Sequence, residues 1–153
     1  MPTDARAVVS TIGNAWRGLR HAAVAQTKRR RAGAGKVGRR AERRAERLLR
    51  RHGLRTLARN FARRTGEIDL VMLDGDVLAF VEVRYRGAAA WTSGLGSVDP
   101  DKRRRIARTA ELYLDEHPEH RYRGIRFDVV SASKGNYGIA CEWTQDAFDA
   151  MDG

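Results

Sequence analysis

The 153-residue sequence predicts an α/β protein with a mixed central β-sheet flanked by helices, and three observations carry that prediction. Residues 66 to 86, GEIDLVMLDGDVLAFVEVRYR, hold two apolar runs joined by Asp74-Gly75-Asp76, the pattern of a β-hairpin. Both faces of that hairpin are apolar along most of its length. Val71, Leu73, Leu78 and Phe80 fall on one face, and Ile68, Leu70, Met72, Ala79, Val81 and Val83 on the other. A hairpin of this kind needs cover on both sides. Helical patterns before and after it, from Val37 and from Pro100, supply that cover.

Taken in order, residues 4 to 27 place Val8, Val9, Ile12, Trp16, Leu19 and Val24 at roughly helical spacing, a marginal helix suited to ordering on a partner. Lys28-Arg29-Arg30-Arg31 and the small residues to Gly35 read as a linker. Residues 1–35 are therefore expected to be a basic extension, and 36–153 the α/β domain. Val37 to His52 is strongly helical, with Gly53 at the position that ends it. Its apolar stripe, Ala41, Ala45, Leu48 and Leu49, is narrow and surrounded by arginines. Glu42 lies beside the stripe, and Glu46 has Arg43 and Arg50 within helical reach. Leu54 to Phe61 predicts an edge strand. After the hairpin, residues 87 to 96 form a Gly/Ala/Ser-rich loop containing Trp91. Asp99-Pro100 opens the second long helix, with Ile106, Ala107, Ala110, Tyr113 and Leu114 in its core-facing stripe. Ile125 to Ala132 and Asn136 to Trp143 predict two strands joined through Lys134-Gly135, and Thr144 to Met151 a final helical turn.

The hairpin also gathers acids. With Gly75-Asp76 as the turn, opposed positions place Asp69 across from Glu82 and Glu67 across from Arg84; with Asp74-Gly75, Glu67 faces Glu82. Either register leaves Glu67, Asp69, Glu82 and Arg84 on one face, because the two differ by an even number of residues. Like charges opposed across a strand pair repel, so a compensating cation is expected. Mg²⁺ suits carboxylate oxygens and needs only one or two of them.

The net charge of +11 is uneven: residues 1 to 53 carry 15 Lys/Arg against 3 Asp/Glu, and the rest is close to neutral. Such a distribution favours a polyanion, nucleic acid first and an anionic membrane surface second. Cys141 is the single cysteine, which excludes an intrachain disulfide and a multi-cysteine zinc site and suits a cytoplasmic setting. Arg6, Arg17, Arg20 and His21 interrupt the N-terminal apolar residues, so no membrane span or signal core is expected.

Five motifs in order, a helix bearing Glu42, then GEIDL, FVEVR, SVDPDKRRRI and RFDVV, resemble the YraN-like family of small proteins over about residues 36 to 151. Such families are similar to the restriction-endonuclease-like superfamily, whose nucleases carry an acid on one strand and Glu-x-Lys on the next. The resemblance implies Asp69 and Glu82 as metal ligands, the Val83 carbonyl and Glu42 as further ligands, and Arg84 at the lysine position. It implies Mg²⁺ or Mn²⁺ as cofactor and DNA as partner, with a homodimer where both strands are cut. Lys102, Arg103, Arg104, Arg39 and Arg40 are then expected on the phosphate backbone. Arginine departs from the pattern: guanidinium stays protonated and cannot serve as a base. The readings to separate are a Mg²⁺-dependent endonuclease acting on branched, damaged or single-stranded DNA, a non-catalytic nucleic-acid-binding module, and an adaptor docking through its N-terminal helix.

Overall fold

A computed structural model describes residues 35–86 and 98–149. The N-terminal helix and linker expected before Gly35, and the loop containing Trp91, lie outside the described residues. The element order is α1 (Lys36–Arg51), β1 (Arg55–Arg63), β2 (Gly66–Asp74), β3 (Val77–Arg86), α2 (Pro100–Glu116), a 3₁₀ turn (Pro118–His120), β4 (Gly124–Gly135) and β5 (Gly138–Phe148). The five strands form one mixed sheet in sequence order, antiparallel except for the parallel β3–β4 pair. That parallel pair requires a crossover, and α2 lies within it.

Each face of the sheet has its own apolar core. Ala45 and Leu49 of α1 pack with Leu54, Leu70, Met72, Ala79, Val81 and Val130. Ile106, Ala107, Ala110, Tyr113 and Leu114 of α2 pack with Phe61, Val71, Leu78, Phe80, Phe127 and Val129. The two sets alternate along β3, as a strand covered on both faces requires. Both helices end where expected. Gly53 follows α1 with φ +94°, and the Asp99 carboxylate accepts the Asp101 amide at 3.3 Å at the start of α2.

The hairpin turn is Gly75-Asp76, with Gly75 at φ +56°, and the β2–β3 register runs from Asp74↔Val77 to Leu70↔Val81. The alternation expected of β2 fails at one place. Leu70 joins the α1-side core, yet Ile68, two residues away, joins the α2-side core with Phe61. The physical cause is in β1, where Asn60 sits at φ +48° between the pairs Arg59↔Leu70 and Phe61↔Ile68. A left-handed residue rotates the strand and reverses its sidedness.

Three other expectations change. Thr144 to Phe148 continues β5 instead of starting a helix, because Asp146 adopts φ +49°, its amide donates to Asp128 at 3.0 Å, and Phe148 is buried against Phe127. The β4–β5 turn is Asn136-Tyr137, two residues beyond Lys134-Gly135, since Gly135 pairs with Gly138. Glu46 ignores Arg43 and accepts instead from Arg59 and Thr56 of β1, at 2.7 Å each.

Candidate functional site

The acidic centre forms where β2 and β3 separate. Their backbone register ends at Leu70↔Val81, and beyond that point the Asp69 carboxylate accepts the Val83 amide at 2.7 Å. A side chain has taken the place of a strand partner. Asp69 is thereby held in the plane of the sheet, against the strand that carries Glu82. Glu82 is 5 % exposed and faces α2, whose Lys102 ammonium donates to its Oε1. Burial, and then the neighbouring Glu82 charge, push the Asp69 carboxyl well above the ordinary carboxylate range; the Val83 amide and Lys102 oppose this, and Glu42 adds to it.

Glu42 reaches the centre from α1. Its charge is felt at Asp69, while its own carboxylate accepts Asn60 Nδ2 at 3.2 Å. Among the described residues, no three His, Cys, Asp or Glu side chains close into a group arranged for a metal ion. Asp69 and Glu82 could offer two carboxylates to a hard cation completed by water, a mode Mg²⁺ accepts. Arg84 follows Glu82 by two residues on the same face of β3 and is half-buried.

The expected phosphate-contacting residues divide. On α2, Lys102 is committed to Glu82. Arg103 donates from Nε to the Val98 carbonyl at 2.6 Å and lies over the Phe148 ring, and Arg104 pairs with Asp101. On α1, Arg39 and Arg40 are exposed. Arg126 of β4 pairs with Asp74 at 2.8 Å and Asp128 at 3.0 Å, away from the acidic centre.

Sequence reasoning named Lys102 only as a phosphate contact and did not single out Asn60. Lys102 belongs with the acids, a contact across 20 residues that no local spacing reveals. Asn60 sets the twist opposite Asp69. Its signal was present as an asparagine inside an edge strand, a residue type tolerant of positive φ.

Fold and site together define a small three-layer α/β protein with paired acids at the splayed end of a central hairpin. The chain belongs to the family described as "Uncharacterised protein family UPF0102", whose model matches residues 41–132. It is 49 % identical over 115 residues to a UPF0102 protein of Pseudomonas aeruginosa, covering 74 % of this chain and 92 % of that relative. A UPF0102 protein of Pseudomonas paraeruginosa is 47 % identical over 122 residues, 78 % of this chain and 98 % of its own length. One from Alcanivorax borkumensis is 43 % identical over 113 residues, 73 % and 90 % respectively. The matched region contains Glu42, Asn60, Asp69, Glu82, Arg84 and Lys102. No helix among the described residues is long and apolar enough to cross a membrane.

Proposed function

We propose that this protein binds nucleic acid and hydrolyses its phosphodiester bonds with the help of Mg²⁺ or Mn²⁺, as a member of the restriction-endonuclease-like superfamily. The observation that carries the reading is the seating of Asp69 on the Val83 amide beside buried Glu82. Burial, and then the neighbouring Glu82 charge, raise the cost of ionising Asp69, and a bound cation would offset it. Asp69, Glu82 and the Val83 carbonyl would hold the cation, with Glu42 acting on it through its charge. Such an ion lowers the pKa of a bound water and stabilises charge at phosphorus.

The chain's own residues supply the remainder. Arg84, permanently protonated, stabilises negative charge on a phosphate oxygen and accepts no proton from water. Lys102 neutralises Glu82 when no cation is present and, displaced from it, becomes a donor to phosphate. Branched, damaged or single-stranded DNA is the substrate class expected.

The test is isothermal titration of Mn²⁺ into the intact protein and into Asp69→Ala and Glu82→Ala, with nicking and cleavage of branched, duplex and single-stranded DNA followed in parallel. Binding abolished by both substitutions, together with metal-dependent cleavage, is the expected result. Absence of binding by the unsubstituted protein, with and without DNA, overturns the reading. The Lys102–Glu82 ion pair favours one second reading: an acid already neutralised by lysine needs no metal, and the protein would then be a non-catalytic nucleic-acid-binding module.

A further inference from the structure

Helix α1 presents a row of cations along one exposed side. Ala41, Ala45 and Leu49, spaced four apart, are at most 1 % exposed and seat the helix on the sheet. Its only two acids are drawn toward β1, Glu42 to Asn60 and Glu46 to Thr56 and Arg59. Arg40, Arg43, Arg47 and Arg51 consequently occupy the opposite, exposed side. None of the four forms an ion pair with a carboxylate among the described residues. Arg47 and Arg51 instead fold back along the helix, each Nε donating to the carbonyl four residues earlier, at 3.3 and 3.4 Å. Arg47, Arg50 and Arg51 also line an open hollow on this side.

Several arginines elsewhere are matched to acids: Arg63 with Glu116, Arg104 with Asp101, Arg121 with Asp115, Arg123 with Asp76, and Arg126 with Asp74 and Asp128. What sets α1 apart is alignment: four exposed arginines without a carboxylate ion pair among the described residues follow one another along a single side of one helix.

We propose that the arginine ridge Arg40–Arg43–Arg47–Arg51 is the track on which the sugar-phosphate backbone of a nucleic acid lies. This rests on the reading of the protein as one that acts on nucleic acid. From residue 40 to residue 51 the helix rises about 16 Å. At 3.4 Å per nucleotide of one strand, that length spans roughly five phosphates. Guanidinium forks bind phosphate oxygens in pairs, which lysine cannot do. A lipid surface is the poorer occupant, because a helix that docks in a bilayer interface inserts its apolar face, and here that face is spent on the protein core. Nucleic acid on this track is held from the α1 side of the sheet, with Glu42 on the same helix linking the track to Asp69.

The experiment measures binding of a fluorescein-labelled 20-nucleotide single strand and the matching duplex, without divalent metal, across a salt series. It compares the intact full-length protein, the combined substitution Arg40→Gln/Arg43→Gln/Arg47→Gln/Arg51→Gln, the single Arg47→Gln, and Arg121→Gln, a residue already paired with Asp115. Glutamine keeps the helix propensity, and circular dichroism verifies the fold. The combined variant is expected to bind at least tenfold more weakly, with the slope of log K against log salt reduced by about 3. Arg47→Gln should lower it by about 1, and Arg121→Gln should leave it unchanged. An unaltered slope in the combined and single variants overturns the proposal. So does a variant that loses binding only to phosphatidylserine vesicles while keeping nucleic acid. Mn²⁺ titration of the same proteins separates this proposal from the catalytic reading: the track can hold nucleic acid in a protein that binds no metal, and the ridge variants leave metal binding intact.

Discussion

Asn60 is the residue on which the geometry of the acidic centre turns. Its backbone at φ +48° stands opposite Asp69, and its side chain holds Glu42 at 3.2 Å. A β-branched residue is poorly accommodated at positive φ, so Asn60→Val should destabilise the protein by about 1–3 kcal/mol. It should also weaken the Asp69–Val83 contact, because β1 would recover ordinary alternation and pull Asp69 back. Glycine adopts the native conformation without strain. Asn60→Gly should therefore retain that contact while losing the Glu42 hydrogen bond. Urea unfolding measures the first effect, and the Val83 amide proton shift, moved downfield by a carboxylate acceptor, measures the second. An unchanged Val83 resonance in Asn60→Val would show that Asp69 is positioned without Asn60. None of this reach across the sheet is visible in one dimension; the turn residues leave two registers, and the Gly75-Asp76 turn of the folded chain is what sets Asp69 level with Glu82.

At the scale of the element, α2 lies close against β2. A Cβ built on Gly66 would meet Thr109 Oγ1 at 3.2 Å and Arg105 Cβ at 3.3 Å, so the glycine of GEIDL serves close approach of strand and helix. Thr65 and Thr109 hydroxyls then join the two elements at 2.8 Å. Further along α2, Glu111 is half-buried with Oε1 unpartnered, and its carboxyl is pushed up to about 7, first by burial and then by the Asp115 charge. The native state therefore holds this proton more tightly than the unfolded chain. The stability that the protonated form contributes is fully present below about pH 4.5 and is lost as pH rises through about 7. Glu111→Gln should flatten that part of the stability–pH curve and raise stability at pH 8 by on the order of 1 kcal/mol, discounted for partial solvation. Denaturant melts from pH 4 to pH 8 check it; parallel curves for the two proteins would exclude the effect. The helix itself was legible from Asp99-Pro100 and its apolar stripe. The ionisation of Glu111 was not, since it depends on what the helix lies against.

Across the whole molecule, one buried anion ties three strands together. Asp128, with no solvent exposure, accepts Arg126 Nε at 3.0 and 3.1 Å, Trp143 Nε1 at 3.1 Å and the Asp146 amide at 3.0 Å, while Arg126 continues to Asp74 at the hairpin end. Removing one partner of a buried pair leaves the other uncompensated. Asp128→Ala should cost about 3–5 kcal/mol in urea unfolding, and a loss below 1 kcal/mol would mean that the network contributes little. Composition, alternation and turn chemistry by themselves determined the layered α/β class, the hairpin to within two registers, and both long helices. Those features depend on local backbone preference and on the periods of strand and helix, and both are written along the chain. Tertiary structure alone decided that Lys102 faces Glu82, that Glu46 pairs with Arg59, that the segment after Trp143 stays extended, and that Asn60 reverses the sidedness of β1 and β2 at the acidic centre. Each of these is a choice among partners distant in sequence, settled by which charges and apolar groups burial brings together.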